Sequence, residues 1–105
     1  MVWRLRLTAD AQADLHEITA WLSQPGSGAE ALKKLEALKA GLKGLARDPL
    51  RYPTFPLTGG RKCSTRGGYE IHYDVWADPP GSTMSGVVDV AFVKAPYQDY
   101  STFLT

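Results

Sequence analysis

The sequence predicts a two-layer α+β domain in the order strand, helix, helix, strand, strand, strand. A two-helix hairpin packs on one face of a small, mainly antiparallel four-stranded sheet. Three observations carry this. Residues 3–7 alternate apolar and basic, residues 9–46 hold two apolar stripes at helical spacing, and residues 69–75 alternate again between turn-rich flanks. A length of 105 residues suits one domain, 1–105.

Met1 to Leu7 reads as the first strand, with Trp3, Leu5 and Leu7 on one face and Arg4 and Arg6 on the other. Thr8 stands where an N-cap belongs, and Asp10 falls in the first turn, where a carboxylate complements the helix dipole. The spacing then predicts a helix from Ala9 to about Ser23, burying Ala11, Leu15, Ile18 and Leu22. Gln24-Pro25-Gly26-Ser27-Gly28 ends it. A second helix runs from about Ala29 to Ala46, with Ala31, Leu35, Leu38, Leu42 and Leu45 as its stripe and four lysines largely outside it. The short turn between the two makes them an antiparallel pair.

Arg51-Tyr52-Pro53-Thr54-Phe55-Pro56 is an extended connector, since its prolines resist regular structure. Arg61 to Thr65 is a short strand and Arg66-Gly67-Gly68 a tight turn. Tyr69 to Val75 is the clearest strand. Tyr69, Ile71, Tyr73 and Val75 share its core face, while Glu70, His72 and Asp74 share the other. Ala77 to Gly86 is a loop, Val87 to Val93 a final strand, and Lys94 to Thr105 a tail without clear period. The last three strands form an antiparallel meander, and the first must take an edge of that sheet.

With 44% hydrophobic and 10% aromatic residues, disorder is excluded as the dominant state. No run approaches the ~20 apolar residues that cross a bilayer. The first seven residues also lack the apolar core of a signal peptide, so the cytoplasm is the expected compartment. Cys63 is the only cysteine; it allows no internal disulfide and, with two distant histidines, no metal site is expected. P-loop, GxGxxG and HExxH patterns are absent, and no cofactor is expected.

Net charge is only +1, yet it is uneven. Residues 9–46 carry five acids and four bases, whereas residues 47–73 carry Arg47, Arg51, Arg61, Lys62 and Arg66 against Asp48 and Glu70. Tyr52, Tyr69 and Tyr73 lie among those bases. Arginine forks bind phosphate and aromatic rings stack on bases, so such a face suits single-stranded RNA, although the same side chains also make an ordinary solvated surface. His72 is expected to point away from the helices, with Glu70 and Asp74 raising its pKa. There it can take a proton from a ribose 2′-hydroxyl. His16 falls off the apolar stripe and is expected to face solvent.

Residues Leu7 to Ile18, with an Asp14-Leu15 pair before Ile18, resemble the opening of the RelE/ParE superfamily of bacterial toxins. Leu42 to Pro49 is similar to the end of that family's second helix, and Gly68-Tyr69-Glu70-Ile71-His72-Tyr73 to its central Gly-Tyr-Arg-(Ile/Leu)-x-Tyr strand. The resemblance implies the toxin of a type II toxin–antitoxin pair, with a cognate antitoxin protein as partner. RelE-like members cut mRNA on the ribosome, and ParE-like members instead poison DNA gyrase. For ribosome-dependent cleavage, His72 is the implied proton acceptor, with Arg61, Lys94 and Tyr97 completing the catalytic set. Lys62, Arg66, Arg51 and Tyr100 are the implied RNA-holding residues. Glu70 stands where the family's arginine usually follows the tyrosine. A carboxylate cannot stabilise a phosphorane, so that task passes to Arg61, Lys62 or Arg66. A non-catalytic, protein-binding member is the remaining alternative.

Overall fold

The structure is a computed structural model and describes residues 3–104. Met1 and Val2 of the expected first strand, and the terminal Thr105, lie outside the described residues. The chain runs β1 (Trp3–Leu7), α1 (Ala9–Leu22), α2 (Gly28–Leu45), β2 (Arg61–Thr65), β3 (Tyr69–Ala77) and β4 (Gly86–Lys94), with 3-10 turns at Pro49–Arg51 and Tyr100–Thr102. The strands form one open sheet in the order β1-β4-β3-β2. β2, β3 and β4 make the antiparallel meander, and β1 lies parallel to β4, with Leu5 opposite Val88 and Leu7 opposite Val90.

Thr8 performs two jobs at the start of α1. Its hydroxyl oxygen accepts from the Ala11 N–H at 3.1 Å, as a capping residue should, and its proton goes to the Ala91 carbonyl at 2.7 Å. This fixes the helix start to β4 just beyond the last β1 pair. One turn later the Asp14 carboxylate accepts the Val93 N–H at 3.1 Å, satisfying an edge donor that β1 is too short to reach.

The helix stripes meet the sheet as the spacing predicts. Ala11, Ile18 and Leu22 of α1 and Leu35, Leu38 and Leu45 of α2 are buried against Cys63, Tyr69, Ile71, Tyr73, Val88, Val90 and Val93, with Leu15, Ala31 and Leu42 packed at the margin. Each fully buried aliphatic side chain is worth roughly 1.5–3 kcal/mol. α2 approaches closely at Gly41, where a Cβ would stand 3.0 Å from Thr65 Cγ2 and 3.3 Å from Ile71 Cδ1. Tyr73 is buried to its hydroxyl, which donates to the Pro49 carbonyl at 2.5 Å and ties β3 to the segment leaving α2.

One irregularity decides what lies on the far side of the sheet. His72 pairs with Phe92, but the next residue, Tyr73, pairs with Val90, leaving Ala91 as the extra residue of a β-bulge. Val88 and Val90 face the helices. The bulge resets the alternation, so that Val93 also faces them, while Phe92 turns to the opposite face beside His72.

Candidate functional site

Glu70, His72 and Asp74 do occupy the face of β3 opposite the helices. Around His72 that face is not open. The ring is 1% exposed: Phe92 stacks on it at 4.4 Å, while Phe55 from the connector and Tyr100 from the C-terminal turn meet it edge-on at 5.3 and 5.8 Å. Phe103 stacks in turn on Phe92 at 4.4 Å. The C-terminal segment, aperiodic in sequence, thus folds back and closes a second small aromatic core on the far side of the sheet.

Glu70 is the hub of this cluster. Its Oε1 accepts from the Tyr100 hydroxyl at 2.6 Å and from His72 Nε2 at 2.9 Å, and Lys62 Nζ lies 4.0 Å from Oε2. Burial works to raise the Glu70 pKa, but the hydrogen bonds from Tyr100 and His72, helped by Lys62, bring it below the usual carboxylate value. The same hydrogen bond pushes the Tyr100 phenol up to about 12. His72 departs from expectation: burial outweighs the Glu70 contact, Lys62 and Lys94 add repulsion, and its pKa is lowered, not raised. Neutral imidazole is therefore the resting form, with Nε2 donating to an ionised Glu70. That leaves a lone pair on Nδ1, which is buried and has no partner among the described residues.

Of the residues singled out in the sequence, His72, Lys62, Lys94 and Tyr100 come together around Glu70. Lys94 is 7% exposed; its ammonium donates to the Ala95 carbonyl at 3.2 Å and sits 4.8 Å from the centre of the Tyr100 ring. The other four lie elsewhere. Arg61 pairs with Tyr73, which places it on the helix-facing side, opposite His72, where its guanidinium donates to the carbonyls of Leu50 and Tyr52. Arg66 forms two 3.0 Å bonds with Glu30 in the first turn of α2. Arg51 rests 5.2 Å from the Tyr52 ring centre, and Tyr97, 67% exposed, meets Trp21 of α1 edge-on at 6.5 Å. Sequence reasoning missed Glu70 as an organiser and Phe55, Phe92 and Phe103 as the cover. The available signal was the aromatic content of the connector and tail.

Beside His72 a groove of about 700 Å³ crosses the far face, from the N-terminal turns of α1 over β4 and β3 to the connector. Its charged lining is Asp10, Asp14 and Asp74, with no lysine or arginine among its described residues. The burial of Asp14 raises its pKa, and Asp10 and Glu17 raise it further, against the Val93 hydrogen bond that lowers it. Asp74 lies opposite Asp89, whose carboxylate takes Arg6 from β1. The groove beside His72 is thus acidic, while Lys62 and Lys94 stand at Glu70. Among the described residues, no group of three or more histidine, cysteine or acidic side chains is arranged to hold a metal, and no helix is long and apolar enough to cross a membrane.

Residues 5–91 match the family model described as ParE toxin of type II toxin-antitoxin system, parDE. A search of curated proteins gave no match. A match over most of the chain, on a fold with the element order that the sequence motifs imply, assigns it: the chain belongs to the ParE toxin family of type II toxin–antitoxin systems.

Proposed function

We propose that this toxin arrests growth by binding DNA gyrase as a non-catalytic inhibitor, acting in the cytoplasm and held in check by its antitoxin until that partner is lost. The burial of His72 carries this reading. A general base must reach the proton it abstracts and must be free to accept it. His72 is 1% exposed, and its Nε2 proton is committed to Glu70. The surrounding charge agrees, because a groove lined by Asp10, Asp14 and Asp74 repels a phosphate backbone. Arg61, one of the three candidates for holding a phosphorane, spends its guanidinium on main-chain carbonyls across the sheet.

Ribosome-dependent mRNA cleavage is the competing reading, favoured by Lys62 and Lys94 lying within one cluster with Tyr100. Inducing the chain without its antitoxin separates the two. Gyrase poisoning gives DNA breaks and a DNA-damage response with full-length messages, and a His72→Phe variant that stays toxic. Rapid message cleavage on intact DNA, abolished by His72→Phe, would overturn the proposal.

A further inference from the structure

The acidic groove has a property beyond its charge: few of its polar side chains keep a free donor, the Thr102 hydroxyl being one that does. The Thr8 hydroxyl proton is spent on the Ala91 carbonyl and that of Thr58 on the Phe55 carbonyl. Asp10, Asp14 and Asp74 enter no ion pair among the described residues. The His72 ring lines the same groove, and its buried Nδ1 has no partner among the described residues. The remaining walls are apolar, with Leu57 from the connector, Phe92 from β4, and Phe103 and Leu104 from the C-terminal segment.

These features restrict the ligand. An anion meets three carboxylates. A bare metal ion lacks a converging set of ligands. A side chain with an aliphatic stem and a cationic head that carries several N–H donors satisfies both the apolar walls and the acceptors. We propose that this groove seats an arginine or lysine side chain of the cognate antitoxin, its stem against Phe92 and Leu57 and its head toward the carboxylates that line the groove. The antitoxin is the occupant because family membership requires that partner, and because a desolvated charge pair slows release, as a lasting inhibitory complex needs. The assignment rests on the family and the groove, not on which cellular target the toxin attacks.

Two measurements on the full chain test it. In the first, N-acetyl-arginine amide is titrated into 15N-labelled toxin, with N-acetyl-norleucine amide as the uncharged control. Arginine-specific amide shifts are expected at Thr58, Ala91 and Phe92. They should vanish in Asp14→Asn/Asp74→Asn, whose asparagine at 14 retains an oxygen for the Val93 N–H. Should the double variant fail to fold, Asp10→Asn and Asp74→Asn are read singly. In the second, antitoxin affinity is measured by calorimetry. The double variant should bind at least about tenfold more weakly, while Glu36→Gln, on α2, binds as the parent does. Absence of arginine-specific shifts overturns the site. Arginine-specific shifts with unchanged antitoxin affinity overturn the occupant. Neither result depends on gyrase, so a failure of the gyrase reading is seen separately.

Discussion

Replacing His72 with phenylalanine removes a titrating group from the far-side aromatic core while keeping a ring to stack on Phe92. In the folded protein the imidazole is buried and its pKa is lowered from 6.5; in the unfolded chain it returns to about that value. The unfolded state therefore takes up a proton first as the pH falls. The stability that neutral His72 contributes is fully present above about pH 6.5 and is lost as the pH drops from there toward the folded pKa. The slope in that window reaches about 1.4 kcal/mol per pH unit for one fully linked proton. Glu70 acts in the same direction but only at lower pH, because its unfolded pKa is 4.5. Asp14, whose pKa is raised, acts in the opposite sense but is common to parent and variant, so the difference between their curves from pH 6.5 to 5 reports the histidine. Urea unfolding of the parent and of His72→Phe at half-unit steps from pH 7.5 to 5 should give a parent curve that falls and a variant curve that is flatter by up to that slope. Parallel curves, or an NMR titration placing His72 at or above 6.5, would refute a buried neutral ring.

Three further outcomes follow from single contacts. Tyr73→Phe leaves the buried Pro49 carbonyl without its donor and should cost about 1–2 kcal/mol in urea unfolding, with the fold unchanged by circular dichroism. Gly86→Ala should destabilise by more than about 2 kcal/mol or abolish soluble expression. Its φ is +153° and a Cβ there would stand 2.1 Å from the Trp76 carbonyl oxygen. Glu70→Gln removes the carboxylate that holds the Tyr100 phenol near 12, so ultraviolet titration should show one tyrosine returning toward 10.

The layered fold was legible because its signals are local. Thr8 before a 3.6-residue apolar period marks the start of α1, and period-two alternation in Tyr69–Val75 assigns the correct face to every one of those side chains. Facing away from the helices and facing water are different things, however, and alternation speaks only to the first. Residues 87–93 are apolar at all but one position, so the pattern holds no mark of the Ala91 bulge that turns Phe92 toward His72. The return of Tyr100 and Phe103 over the sheet depends on long-range stacking and on a hydrogen bond to Glu70, 30 residues away in sequence. Arg61 and Lys62 illustrate a signal that was present. Neighbours on a strand face opposite ways, so only one of the two could share a surface with His72, and the register with β3 selects Lys62. The fate of Arg66 was not readable, because its partner Glu30 lies in another element 36 residues earlier.

Supercoiling of relaxed plasmid by purified DNA gyrase, run with increasing toxin beside a ribosome–mRNA cleavage reaction on the same preparation, separates target binding from RNA chemistry without the complications of the cell. Loss of supercoiling or accumulation of cleaved DNA, equally with the parent and with His72→Phe, and with the mRNA left whole, is the expected result. Unimpaired supercoiling together with mRNA cut in a His72-dependent manner would contradict it, and would mean that the aromatic cover over His72 opens on the ribosome.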